Sequence, residues 1–322
     1  MTELVTFGET PLQFSPPGKE RLETARETTV YADGIESNAA VAASQLGTAS
    51  TWISKLPATA PSRRVVGELE RHGIETSITW AGEGEGRQGL VFREAGHPPR
   101  DPQRWHDRDG TAAATAEPSD VPMDVVQGAD VVFSGLSTAG LSRNAEATVQ
   151  AMLRAAHGSG PTTAVTVDYQ PGLRPPESLR ETLVTLLEHV EVLIGDEAHV
   201  RTVFDRSGKP RELANSIAAE YDLDTVVITS NTSSAVALED TPGTNVVHER
   251  EAAELEPVDE SGQRGAFSGG FLARLCDGAD LPEALSYGVA AATLARTIPG
   301  PFMTANRAEI ERTVDEAVDS SR

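Results

Sequence analysis

The sequence is poor in cysteine, lysine, aromatic rings and long apolar runs, and each shortage closes off a class of protein. Its one cysteine, Cys276, excludes an intramolecular disulfide. The neighbouring "FLARL" marks that cysteine as a small apolar residue of the interior rather than a nucleophile. No run of 18 apolar residues occurs, so no helical membrane span is expected. The first ten residues, "MTELVTFGET", have neither a basic start nor an apolar stretch, so no secretory leader is expected. A cytoplasmic protein without a membrane partner is the expectation. Only Lys19, Lys55 and Lys209 stand among the 27 basic residues, so nearly all positive charge is arginine.

What is abundant is acid. Asp and Glu number 49, and the net charge is -22. The acids are scattered rather than blocked, as on a surface suited to molar salt, where screening weakens self-repulsion. A halophilic protein is therefore expected, with an acidic protein made for a basic partner as the rival reading. Nucleic acid would be repelled, so no such partner is expected.

Short β-branched runs such as "ELVTF", "ADVVFSG", "TAVTVDY", "VEVLIGD" and "DTVVITS" alternate with longer helical stretches. That rhythm predicts an α/β fold with a mostly parallel sheet between helices, in one domain over residues 1–322. Two polar segments, about 10–33 and 88–112, break it with short alternating runs such as "GLVFRE". They predict a small β lid over the strand ends. The tail "VDEAVDSSR" reads as a helix end.

The stretch "DESGQRGAFSGGFLARL", Asp259 to Leu275, has the form of a loop feeding a helix. Free N–H groups at such a helix start can hold an anion. Together with "YADGIESNAAVAASQLG" near the N-terminus, it resembles the PfkB, or ribokinase-like, carbohydrate kinases. The stretches "SKLPATAPSRRVVGELERHGIETS" and "RWHDRDGTAAA" resemble the 2-keto-3-deoxygluconate kinase branch. The resemblance implies a three-layer α/β/α fold with a β lid and ATP-dependent phosphorylation of a sugar or sugar acid, with Mg2+ as the accompanying ion. It also implies a possible homodimer through the lid.

Carried over residue by residue, the resemblance places Gly34, Asn38, Arg108 and Asp168 at the sugar, with Glu36 in a variant of the same motif and Arg108 toward the carboxylate of a sugar acid. Gly262, Gln263 and Arg264 fall on the anion-holding turn, and Asn231 and Ser234 on the nucleotide stretch. Asp196 falls on the metal motif, with His199 four places into "DEAHV" as a solvated residue. Several of these depart from the family pattern. Gly265 stands where the family's general-base Asp is expected, Gln263 and Arg264 replace Ala and Gly, and Asp33 replaces a glycine beside the sugar. Asn231 and Ser234 replace two glycines, and an expected arginine is absent or displaced to Arg174. The leading expectation is a sugar-kinase homologue with impaired phosphotransfer, in which Arg264 folds into the phosphate site and closes it to ATP. Two others stay open: an active kinase with a relocated base, Glu260 or Asp259, and Asp196 at the metal; or a non-catalytic dimer partner.

Overall fold

A computed structural model describes residues 2–241 and 244–320. Thirteen strands follow one another: β1 (Leu4–Phe7), β2 (Leu12–Ser15), β3 (Thr29–Ala32), β4 (Ser50–Pro57), β5 (Glu75–Ala81), β6 (Leu90–Glu94), β7 (Gln103–Asp107), β8 (Val131–Gly135), β9 (Thr162–Val167), β10 (Val192–Asp196), β11 (Thr225–Thr229), β12 (Ala235–Thr241) and β13 (Thr244–Arg250). Nine of them form one sheet in the order β13-β12-β11-β10-β9-β8-β1-β4-β5. It is parallel from β11 to β5, while β12 and β13 return as antiparallel strands.

Both faces of this sheet are covered, which is why its strands read as continuous apolar runs. Alternation splits them between two cores. Val5, Phe7 and Val132 face one side, with Met152, Leu183, Phe204 and Ile217 from the covering helices. Leu4, Val131 and Phe133 face the other, with Phe267, Phe271 and Ala291. On that second side the Ile35–Gln45 helix, rich in alanine, lies against the Gln263–Cys276 helix. The approach is close: a β-carbon on Gly269 would sit 2.2 Å from the Ala39 carbonyl oxygen. The final helix covers Arg307–Ser320, so the last two residues of the expected helical tail lie outside the described residues.

The remaining four strands form a separate sheet in the order β3-β2-β6-β7. They come from the two segments that interrupt the βα rhythm. Arg93 of β6 ties this sheet to the loop before the Gln263–Cys276 helix, with its Nη2 2.9 Å from Asp259 Oδ1. Cys276 is partly buried, and its Sγ lies 3.6 Å from the Glu3 carbonyl oxygen. Burial and the nearby carboxylates of Asp130, Glu3 and Asp277 push its thiol pKa up, which suits an inert side chain. Among the described residues, no helix is long and apolar enough to cross a membrane.

Candidate active site

In an open parallel sheet, ligands bind beyond the carboxyl ends of the strands. Here Glu9 follows β1, Gly135 ends β8, Asp168 follows β9 and Asp196 ends β10. The four-stranded sheet stands over these ends. Between them is a small cavity of about 60 Å³, lined by Val91, Arg104 and His106 of the four-stranded sheet, by residues just beyond the large sheet's strand ends such as Glu9 and Asp168, and by Arg264 and Gly265.

Its floor is acidic. Glu36 enters from the first turn of its helix and is buried. Its Oε1 accepts hydrogen bonds from Gly135 N at 3.0 Å and Thr138 Oγ1 at 2.6 Å. Burial first, and the Asp168 carboxylate second, push its pKa up to about 7. Asp168 accepts from Ser137 N at 2.7 Å through Oδ1, while its buried Oδ2 has no partner. Burial raises its pKa as well.

The roof is basic, and alternation along β7 explains why. Arg104, His106 and the following Arg108 are two residues apart, so they share the face turned to the cavity. Arg108 is buried against Glu9, with Nε 2.5 Å from Glu9 Oε2, and Nη1 donates to Gln170 Oε1 at 2.6 Å. Arg104 pairs with Asp33 and donates to Gln13 Oε1 at 3.0 Å. Asp33 also accepts from Asn38 Nδ2 at 2.8 Å. The negative charge placed beside Gly34 is therefore neutralised by the lid. His106 is held neutral: burial, then Arg104 and Arg108, lower its pKa to about 3. Among the described residues, four buried polar atoms of cavity-lining residues lack partners: Glu9 Oε1, Asn38 Oδ1, Asp168 Oδ2 and His106 Nδ1. Buried polar atoms of this kind mark places where a hydroxylated ligand would supply donors.

The structure thus brings Gly34, Asn38, Arg108, Asp168, Arg264 and Gly265 to one cavity. Glu9, Arg104 and His106 were missed by sequence reasoning. The signal for two of them was present, since stepping back from Arg108 by twos along β7 reaches both. Arg174 lies elsewhere, its Nη1 3.5 Å from Glu146 Oε2.

The relocated-base candidates do not reach the cavity. Glu260 is exposed, and its Oε1 stands 4.0 Å from Arg296 Nη2. Asp259 is spent on the backbone as well as on Arg93: Oδ1 accepts from Ser261 N at 2.9 Å and Oδ2 from Gly300 N at 3.1 Å. Gly265 is pressed against the N-terminal helix. A β-carbon there would lie 2.4 Å from Asn38 Cβ and 3.2 Å from the Ile35 carbonyl oxygen.

The helix start at Gly262 carries no side-chain cap and no acid in its first turn. Its first N–H groups have no acceptor within the helix, which leaves them available to an anion. Arg264 does not fold inward as expected. It is nearly half exposed, with Nε 3.8 Å from Asp196 Oδ2. Gln263 is buried, and its Oε1 accepts from Ser233 Oγ at 3.4 Å. Beyond it runs an open groove of about 930 Å³, lined by Thr232, Ser234, Arg296 and several glutamates. Asn231 is exposed, and Ser234 Oγ accepts from Ala252 N at 3.0 Å. The left-handed residue of this turn is Ser233, at φ 72°, so neither Asn231 nor Ser234 occupies a conformation that demands glycine.

For a protein-held magnesium the residues fit poorly. Asp196 Oδ1 caps the following helix by accepting from Ala198 N at 3.0 Å, and Oδ2 faces Arg264. His199 is largely buried, not solvated as expected. Burial, then Arg264, lower its pKa to about 4, with Asp196 opposing. Mg2+ prefers several oxygen ligands. Among the described residues there is no cluster of three or more His, Cys, Asp or Glu able to hold a metal.

Comparison with known proteins completes the site. The family described as pfkB family carbohydrate kinase matches residues 1–306. The 2-dehydro-3-deoxygalactonokinase of Haloferax volcanii is 38% identical over 310 residues, which is 96% of this chain and 96% of that protein. A 2-dehydro-3-deoxygluconokinase from Thermotoga maritima superimposes with a TM-score of 0.86 at 25% identity, over 98% of this chain and 100% of that one. A putative ribokinase II from E. coli, solved with ATP and Mg2+, shares the fold at a TM-score of 0.83 and 18% identity, over 98% and 100% of the two chains.

Proposed function

The chain belongs to the pfkB family of carbohydrate kinases, and on that premise we propose that it binds a 2-keto-3-deoxy sugar acid between sheet and lid and transfers phosphate to it poorly. The sugar-acid part draws on the two kinases above, whose names specify 2-dehydro-3-deoxy sugar acids, and on the arginines and unpartnered acceptors around the cavity. The donor would be ATP, lying in the open groove with its phosphates toward the bare helix start. Phosphoryl transfer needs positioning, charge stabilisation and a base for the attacking hydroxyl. The first two have residues here: the first-turn N–H groups and Arg264.

The observation that carries the impairment is Gly265. The position given to the base has no side chain, and the neighbouring Asn38 Cβ leaves no room for one. A general base contributes roughly 10² to 10⁴ in rate. ADP release in molar salt, with ATP–Mg2+ and a panel of sugars and sugar acids, should therefore run at least about 100-fold below an active relative. Gly265→Asp should not restore it and should lower the melting temperature. A second reading, an active kinase, is favoured by Glu36, a cavity-lining carboxyl with a pKa of about 7 and no ion-pair partner among the described residues. Robust turnover in the natural protein that is lost in Glu36→Gln would establish that reading instead.

The face of the lid away from the cavity leaves Trp105 48% exposed. Through this face we propose that two copies pair.

A further inference from the structure

The four-stranded sheet is held down in two different ways. At its root, Leu12 of β2 and Ala32 of β3 are buried with Trp52, Leu56, Val65 and Leu69 of the main body. Salt does not screen apolar contacts of this kind. The outer hairpin, β6 and β7, is held by charge. Its register places Val91 opposite His106 and Arg93 opposite Arg104, so these four share the inner face. Three guanidiniums reach down from there, or from just beyond β7, to carboxylates outside the hairpin. Arg93 meets Asp259 at 2.9 Å, Arg104 pairs with Asp33, and Arg108 meets Glu9 at 2.5 Å. Asp33 is itself anchored to the Ile35–Gln45 helix through Asn38.

With the hairpin down these pairs are nearly dry. The side chains of Glu9, Asp33 and Asp259 are 2%, 4% and 14% exposed. Dissolved ions screen a buried pair little, so salt hardly weakens the lowered state. Lifting the hairpin brings six charged groups into water. Counterions then gather round each of them and weaken the attraction that would draw the hairpin back. Desolvation offsets much of the Coulomb attraction in a buried pair, so the balance between the two states is close enough for salt to tip. The hairpin also has to lift. The cavity under it is about 60 Å³, whereas ligand pockets run to roughly 300 Å³ or more.

We propose that the β6–β7 hairpin is a salt-dependent gate, held shut in dilute buffer by three arginine–carboxylate pairs and opened by potassium chloride while the apolar root stays packed. Nothing in the gate depends on the identity of the ligand, so it stands or falls apart from the sugar-acid reading. Its signature is a difference in sign. The fold as a whole carries a charge of -22 and is relieved by salt, whereas this one element is loosened by it.

Val91 supplies the probe position. It lines the cavity, is 1% exposed, and is close to cysteine in size. Cys276, partly buried beside Glu3, is the internal reference for the rest of the fold. In Val91→Cys, both thiols are followed by mass spectrometry during reaction with an uncharged maleimide at fixed pH. Rates are taken relative to free cysteine, from dilute buffer to molar potassium chloride, over the range in which circular dichroism shows the fold intact. The introduced thiol should react about fivefold or more faster at the high-salt end, and Cys276 no faster. Adding Arg93→Gln or Arg104→Gln should raise the dilute-buffer rate and flatten the salt dependence. Should Val91→Cys fold poorly, Ser137→Cys probes the cavity from its floor. A rate at the introduced thiol that is flat or falls with salt overturns the proposal. Acceleration of both thiols together does so too, since it reports loosening of the whole fold. Dilute-buffer rates left unchanged by both arginine substitutions would overturn the assignment of the gate to these pairs.

Discussion

Glu36 shows how one residue stores a pH dependence. Its carboxyl is buried between Gly8 and Gly135, and its pKa rises from 4.5 to about 7. A raised carboxyl pKa means that the folded state binds the proton more tightly than the unfolded one. The stability from this group is therefore complete below pH 4.5 and is lost as the pH climbs to about 7. The shift corresponds to roughly 3 kcal/mol. Glu36→Gln should melt like the natural protein near pH 4.5 and above it at pH 8, with the gap opening between. A gap that stays constant with pH would refute this account. The residue scale is also where sequence reasoning reached least far. Gly265, Asn38, Asp168 and Arg108 were found because they lie on motifs. Glu9 and Arg104 were not, because their partners are 99 and 71 residues away and no local pattern marks the pairing. Exposure was misjudged for the same reason: His199 sits against Tyr169, whose ring centroid is 6.3 Å away, and a single helical turn of sequence does not show that neighbour.

At the scale of elements the sequence was far more legible. β-branched runs marked the parallel strands because both faces of such a sheet are buried. Alanine and glycine marked the two helices that approach each other at Gly269. The lid was visible as polar interruptions with short alternating runs, but its pairing was not, since its strands are four or five residues long and pair across the chain. The same alternation that turns Arg104 and His106 inward turns Trp105 outward, which leaves a large apolar ring on the outer face. If two lids pair there, Trp105→Glu should shift the molecule from dimer to monomer in light scattering while the fold, read by circular dichroism, is kept. A natural protein that scatters as a monomer at working concentration and molar salt would remove this proposal.

For the whole molecule, charge dominates. A net charge of -22 on 322 residues implies self-repulsion that salt relieves. The screening length falls from about 10 Å at 0.1 M to about 3 Å at 1 M. The melting temperature should rise steadily as potassium chloride is added from dilute buffer to molar concentration, and a flat or falling midpoint would count against a salt-adapted surface. Arg93 in the lid grips Asp259, which also fixes the loop leading into the donor-side helix. As a clasp, this ion pair joins the N-terminal cover to the C-terminal half beside the apolar packing of Phe302 against the lid. On the proposed function, lifting the cover to admit an acid would slacken the turn that would hold the nucleotide. The two ligands would then be admitted in sequence, acid first and nucleotide after the clasp has closed again. Order-of-addition binding kinetics would read this as a nucleotide association rate that increases once the acid is bound, and Arg93→Ala should abolish that increase.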